Sequence, residues 1–310
     1  MTFFARKINE YLTLRRAFGT KLKGAEAPLR KFVAFLTSVG ARFVTTARAL
    51  EWATQPKGTS AHRHAARLQL VRSFAGFLNA ADPRHEVPAA KLLEGRARRS
   101  RPYLYSKSEI NSVLHAARAL ASPRDLKGAT YATILGLLAV TGLRRSEALA
   151  LDQADVDLVA GVLTVRKSKL GKSRFVPLHR TTTQALRAYA RHRDQVVPVA
   201  LSDGFFLNES GARITGWALQ YTWVKLTRQV GLRGPHDRRG PRMHDMRHRF
   251  AVESLLGWYR RGVDAARRLP VLSAYLGHVH VADTYWYLEA VPELLERAAR
   301  RLDHPVVVER

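Results

Sequence analysis

From Pro28 onward the apolar residues Leu29, Phe32, Val33, Leu36 and Val39 recur at helical spacing, with proline at the opening and Gly40 at the close. Such a stripe buries one side of a helix and leaves the other to solvent, so the pattern predicts a helix there. The same periodicity returns in Ile8, Tyr11 and Leu12, in Leu50 and Ala53 after Thr46, and in Leu68, Val71, Phe74, Ala75 and Leu78 after Ser60. The first eighty residues therefore read as four helices. Asp82-Pro83 ends this run, and the stretch to Leu104 carries two more prolines together with Arg96, Arg98, Arg99 and Arg101, the composition of an exposed basic connector. The expected organisation is a helical unit over 1–95, a basic linker over 96–105 and a second unit over 106–310.

The second unit opens at Ser106, where Glu109 completes a capping-box pattern ahead of Ile110, Val113 and Leu114. Helices are expected at 127–140, 144–151, 181–195, 215–230, 244–257 and 292–302. Only Val162-Leu163-Thr164-Val165 and Arg174-Phe175-Val176-Pro177-Leu178 look like strands, joined as a hairpin by a loop that holds Gly171 and several basic residues. The predicted fold is mainly α with a small antiparallel β-sheet, an α+β domain following a helical one. The longest apolar run, Ala129 to Leu143, is interrupted by threonine and glycine and is shorter than the roughly 20 residues that a membrane-spanning helix needs. No membrane segment is assigned. Met1 to Lys7 lacks the features of a secretory signal, so a cytoplasmic protein is expected.

Charge narrows the partner. Lys and Arg number 52 against 25 Asp and Glu, for a formal charge of +27, which favours a polyanion, with nucleic acid ahead of an anionic membrane surface. There is no cysteine; disulfides, thiolate metal sites and cysteine nucleophiles are excluded, and covalent chemistry must use another side chain.

Several basic, imidazole and phenolic residues of the second unit suit attack on a phosphodiester. Such attack concentrates negative charge on the non-bridging oxygens, and arginine answers it with a planar, permanently charged fork. Donors aimed at that charge are each worth roughly 3 kcal/mol. Arg144, in Thr141-Gly142-Leu143-Arg144-Arg145-Ser146-Glu147, and Arg247, in His244-Asp245-Met246-Arg247-His248, form a candidate clamp. His244 and Arg247 lie three apart on a predicted helix and so share a face. His278 follows Leu276-Gly277, where glycine would end a helix and present the imidazole from a turn. A histidine so placed can donate to phosphate oxygen or exchange protons with a nucleophile. In the hairpin loop Lys167, Lys169 and Lys172 compete for the role of protonating a departing 5′ oxygen, the others serving as phosphate tethers, and periodicity does not choose among them. Tyrosine is a workable nucleophile because its phosphodiester stays reversible, with no metal or ATP required. Tyr275, Tyr285 and Tyr287 are all available, and composition nominates none.

Taken in order, these motifs resemble the tyrosine recombinase (phage-integrase) family over nearly the whole chain. The resemblance implies that Arg144 is the first catalytic arginine and Glu147 its supporting carboxylate. It selects Lys169, in the loop before Val176-Pro177-Leu178, as the catalytic lysine. It assigns His244 and Arg247 to the His-x-x-Arg box and His278 to the Leu-Gly-His box. Tyr287, nine residues after His278, becomes the nucleophile, with Thr284 also fitting. The stretch between Arg247 and Leu276, with Trp258-Tyr259-Arg260-Arg261 and Arg267-Arg268, is longer than the family pattern.

By the same resemblance, residues 1–95 correspond to a helical core-binding domain that clamps double-stranded DNA together with the catalytic domain. Arg63, Arg67, Arg96, Arg98, Arg99, Arg101, Lys167 and Lys172 are candidate DNA contacts. The implied activity is site-specific recombination through a 3′-phosphotyrosyl intermediate and a Holliday junction, for integration, excision or transposition of a mobile element. The implied assembly is a homotetramer on two DNA sites, with the apolar stripe Leu294, Leu295, Ala298, Ala299 and Leu302 suited to docking on a neighbour. Accessory recombinases or DNA-bending proteins are possible partners. Because the core-binding pattern starts near Met1, no arm-binding domain is expected, which favours simple inverted-repeat sites. No cofactor or metal is expected. The alternatives are a type IB topoisomerase-like enzyme and a DNA-binding regulator without cleavage.

Overall fold

The computed structural model describes residues 2–20, 22, 24–95, 102–166, 173–278, 280 and 284. The chain divides into two compact units, Met1–Ser100 and Arg101–Arg310.

The first unit is built from helices α1 (Phe3–Ala17), α2 (Glu26–Ser38), α3 (Thr46–Thr54) and α4 (Ala61–Asn79). Thr2 and Thr45 start α1 and α3 by accepting backbone N–H bonds from Ala5 and Arg48, donors that a helix start cannot satisfy internally. The apolar stripes read from the sequence converge: Ile8, Leu12, Phe32, Leu36, Ala53, Val71 and Phe74 are buried in one cluster. Phe32 meets Trp52 edge to face at 5.2 Å. After α4 the chain folds back, and buried His85 accepts from the Val44 amide at 3.1 Å while Glu86 accepts from the Thr46 amide at 2.7 Å. Burial lowers the His85 pKa, consistent with a neutral ring acting as acceptor.

The second unit contains α5 (Lys107–Arg118), α6 (Leu126–Thr141), α7 (Arg145–Ala150), α8 (Arg180–Val196), α9 (Gly216–Gln229), α10 (Met243–Arg260) and α11 (Ala265–Leu276) among the described residues. The capping box at Ser106 and Glu109 is formed in both directions. Helix α6 holds most of the longest apolar run of the chain; it is buried on nearly every side and packs against α5, α8 and α10. A helix apolar all round belongs in a core when other helices surround it. No helix of the described residues is long and apolar enough to cross a membrane.

Strands β1 (Val156–Asp157), β2 (Val162–Val165) and β3 (Arg174–Pro177) form an antiparallel sheet in the order β1-β2-β3. In the β2–β3 hairpin Val162 pairs with Pro177 and Val165 with Arg174. Leu163, Val165 and Val176 point into the core while Phe175 faces solvent, the alternation expected of a half-buried sheet. The hairpin matches the sequence expectation. β1 was not expected: it is two residues long, and Asp157 turns at once by accepting from the amides of Val159 and Ala160.

Two further differences concern the end of the unit. Helix α10 runs to Arg260 instead of 257, and α11, unforeseen, contains Pro270. The long stretch after Arg247 is thus a helical hairpin with a cluster of its own: Ala251, Val252, Leu255 and Leu256 against Leu269, Leu272 and Leu276. The helix expected at 292–302 and its apolar stripe lie outside the described residues.

Candidate active site

Arg144 stands between two helices. Gly142 ends α6 with φ +62°, and Arg144 is the N-cap of α7, whose third residue, Glu147, returns a carboxylate to it. Glu147 accepts from the Arg144 backbone N–H at 2.9 Å and from its Nη1 at 2.7 Å. The second arm of the fork, Nη2, donates to the Gly277 carbonyl at 3.0 Å. The Thr-Gly-Leu-Arg box is thereby tied to the Leu-Gly-His box across 133 residues of chain.

A third motif joins through Arg174, the first residue of β3. Its two Nη atoms donate to the Glu147 oxygens at 3.0 and 2.9 Å, and its Nε to the Tyr275 carbonyl at 2.8 Å. Burial pushes the Glu147 pKa upward, but hydrogen bonds and charge from Arg174 and Arg144 outweigh it and hold the carboxyl at about 2. Glu147 is therefore a fixed anion that orients two arginines. Sequence reasoning gave Arg174 no role; its position at the start of a strand, beside the basic loop, was the available signal.

Arg247 projects from α10 and is 2% exposed. Nη1 donates to the Gly142 carbonyl and Nη2 to the Leu276 carbonyl, each at 2.7 Å. The His-x-x-Arg box thus touches both other boxes. One turn earlier on the same face His244 reaches the surface, its ring edge to face with that of buried His248 at 4.8 Å. Desolvation, then the charge of Arg247, lowers the His244 pKa. Desolvation, followed by His244, pushes His248 down to about 4. Both shifts favour the neutral imidazole.

Helix α11 ends in a Schellman turn: the Gly277 N–H bonds to the Ala274 carbonyl and the His278 N–H to that of Ser273, both at 3.0 Å. Gly277 has φ +70°, and a Cβ there would lie 2.7 Å from Arg174 Nη1, so both conformation and space demand glycine. His278 leaves this turn and its Nδ1 lies 2.8 Å from the buried Thr284 hydroxyl.

Arg144, His244, Arg247 and His278, with Glu147, therefore belong to one region built from α6–α7, β3, α10 and the end of α11. Such a set can grip a phosphate group with planar donors and flank it with imidazoles. Lys167, Lys169, Lys172, Tyr285 and Tyr287 lie outside the described residues. Tyr275 is packed against Phe250 at 5.5 Å, and burial, opposed by Arg174, pushes its hydroxyl up to about 12. Among the described residues no group of three His, Asp or Glu is placed to hold a metal ion. In the first unit Arg63 is exposed on α4. Arg67 stacks on Trp52 at 3.6 Å and donates to the Trp52 and Ala53 carbonyls, so its guanidinium is engaged within the protein. Arg96, Arg98, Arg99 and Arg101 lie outside the described residues.

The chain matches the phage integrase family model over residues 104–293. It is 45% identical over 307 residues to "Putative integrase/recombinase y4rB" of Sinorhizobium fredii, covering 98% of each chain. It is 30% identical over 250 residues to the tyrosine recombinase XerD of Caulobacter vibrioides, covering 81% of this chain and 77% of that one. Among solved structures, the XerH site-specific recombinase bound to palindromic difH substrate in a post-cleavage complex aligns with a TM-score of 0.68 at 20% identity, over 91% of this chain and 80% of that one. The Tn1549 transposon integrase in complex with transposon right end DNA aligns with a TM-score of 0.66 at 18% identity, over 96% and 99%. At such identities the likeness speaks for the fold alone.

Proposed function

The chain belongs to the phage integrase family, and from that premise we propose that it is a tyrosine-type site-specific recombinase that breaks and rejoins double-stranded DNA. One observation carries the reading: Arg144, Arg174 and Arg247, from three segments distant in sequence, all donate to carbonyls of residues 275–277, and Arg247 also to that of Gly142, so that the arginines are gathered into one cluster. A structural core has no need to bring so many arginines together. A transferring phosphoryl group does.

In the reaction, the Tyr287 hydroxyl attacks the scissile phosphorus and gives up its proton to a neighbouring imidazole. The tyrosyl O–P bond forms, the bond to the 5′ oxygen breaks, and Lys169 supplies the proton that the leaving oxygen takes up. Arg144 and Arg247 bind the non-bridging oxygens while His244 and His278 flank them. Glu147 holds Arg144 in register and does not touch the substrate. The 3′-phosphotyrosyl link keeps the energy of the broken bond, so a 5′ hydroxyl from a second duplex reverses the step and the strands exchange through a Holliday junction. Inverted-repeat core sites, a homotetramer on two of them, and integration, excision or transposition of a mobile element complete the reading. Residues 1–95 serve as the core-binding domain and 96–105 as its linker.

The test is recombination between two labelled duplexes that carry the inverted repeats found at the ends of the element encoding the chain. Recombinant product and a transient four-way junction are expected. Relaxation of supercoiled plasmid without recombinants would make the chain a topoisomerase-like enzyme instead. Tight binding without any cleavage would make it a regulator.

A further inference from the structure

Two successive carbonyls lie just ahead of α10, and each accepts from a buried aromatic ring. The Tyr105 hydroxyl donates to the Arg242 carbonyl at 3.0 Å, and the Trp223 indole N–H donates to the Pro241 carbonyl at 3.1 Å. Tyr105 is 3% and Trp223 0% exposed, and the two rings meet edge to face at 6.1 Å. Arg242 is the N-cap of α10, and His244 is the second residue of that helix. The Arg242 carbonyl also accepts the first bond of the helix, from the Asp245 N–H at 2.9 Å. The Tyr105 hydroxyl therefore takes the remaining lone pair of the group from which the helix starts.

Tyr105 grips α10 a second time. Its own carbonyl accepts from Arg249 Nε at 2.7 Å, about two turns farther along the same face. One residue thus spans the part of α10 that carries both His244 and Arg247. Arg247 is secured at its tip by the carbonyls of Gly142 and Leu276, whereas His244 takes its direction from the helix start and from the His248 ring against it. Tyr105 is itself held, because Ser106, the next residue, caps α5 in a box with Glu109. Burial, reinforced by the charge of Asp245, raises the pKa of the Tyr105 hydroxyl, which stays protonated and remains a donor. A donor on a packed ring, seated between two capped helix starts, is a rigid support for a reacting group.

We propose that Tyr105 is a positioning residue for the recombination reaction, its hydroxyl holding the first turn of α10 so that His244 meets the scissile phosphate. This rests on the recombinase reading above. Tyr105 touches neither the phosphate nor the nucleophile; it acts through the Arg242 carbonyl.

The test is Tyr105→Phe in the full chain, which removes one oxygen and keeps the ring. On a nicked duplex carrying the inverted repeats, the variant is expected to bind as tightly as the parent and, at saturating protein, to cleave roughly tenfold more slowly in a single turnover, a part of what a well-placed acid–base group contributes. In the parent, burial and then the charges of Arg247, Arg242 and Arg144 lower the His244 pKa, while Asp245 raises it. A loosened first turn rehydrates the ring, so NMR should show His244 of the free variant titrating closer to 6.5 than in the parent. Tyr189→Phe supplies the stability control. It removes an equally buried oxygen, 3% exposed, that accepts from the Thr130 hydroxyl and the Leu207 amide away from α10. That variant should lower the thermal midpoint to a similar extent while cleaving, and titrating at His244, as the parent does. Unchanged cleavage in Tyr105→Phe, equal losses in both variants, or a slower rate with an unmoved His244 titration would each overturn the inference. A parent that forms no covalent complex with the duplex would instead overturn the recombinase reading itself.

Discussion

At the residue scale, the candidate site is a set of charges whose orientation is set by backbone carbonyls and one carboxylate. Arg144→Ala or Arg247→Ala removes a donor aimed at transition-state charge, and the single-turnover cleavage rate is expected to fall by about 100-fold or more. Glu147 connects the site to stability. Its folded pKa, at about 2, lies below its ordinary 4.5, so its contribution is fully present above that ordinary value and is lost as pH falls toward 2. Glu147→Gln should cost about 3–5 kcal/mol at neutral pH, the usual result of breaking a buried ion pair, and should flatten the decline of the thermal midpoint between pH 5 and 2 that the parent shows. An unchanged acid profile would remove Glu147 from its place between the arginines. His244 provides a separate check, since its lowered pKa comes from desolvation and neighbouring cations. An anion in the pocket offsets both, so ring nitrogen shifts followed by NMR should titrate below 6.5 in the free protein and at higher pH once duplex DNA is bound.

At the scale of elements, most helices of both units were legible because their apolar stripes have the right period, and Ser106 with Glu109 marked the start of one; the caps at Thr45 and Thr215 stand one residue from where the sequence reading began those helices or inside its bounds. The β2–β3 hairpin was legible for the corresponding reason in strands. Helix α11 was not. Pro270 argues against a helix when the sequence is read locally, because it lacks an N–H and crowds the preceding turn, yet Leu269, Leu272 and Leu276 bury against α10 and override it. The residue types of the site could be read from the chain, whereas the carbonyl acceptors that unite them could not: nothing local says that the Gly142 oxygen meets Arg247 or that of Gly277 meets Arg144. The two glycines carry that information only through φ angles of +62° and +70°. At Gly142 a Cβ would lie 2.7 Å from the Phe250 ring. Gly142→Ala therefore combines backbone strain with a clash, and is expected to destabilise the second unit by about 1–3 kcal/mol and to lower cleavage in parallel. Leu272→Ala, in the α10–α11 cluster, should cost about 2–5 kcal/mol and likewise impair a site that it does not touch. Denaturant melts read alongside cleavage rates would verify both.

For the whole molecule, a charge of +27 makes binding to any duplex an ion-release process. If six to ten phosphates are neutralised, raising salt from about 50 to 200 mM should weaken binding by a factor of about 10³–10⁵; a salt-independent affinity would exclude a duplex as the main partner. Composition alone favoured a polyanion, with nucleic acid ahead of an anionic membrane surface. What composition left open was chemistry, and here the central claim is that Tyr287 becomes covalently joined to DNA within the arginine pocket. The most direct measurement is incubation with a nicked duplex that loses its 5′-hydroxyl fragment after cleavage, followed by digestion and mass mapping of the peptide that carries the nucleotide. The expected result is a 3′-phosphonucleotide on the peptide containing Tyr287, absent from Tyr287→Phe and strongly reduced in Arg247→Ala. An adduct on another residue, or none while the protein remains tightly bound to the nicked duplex, would contradict it.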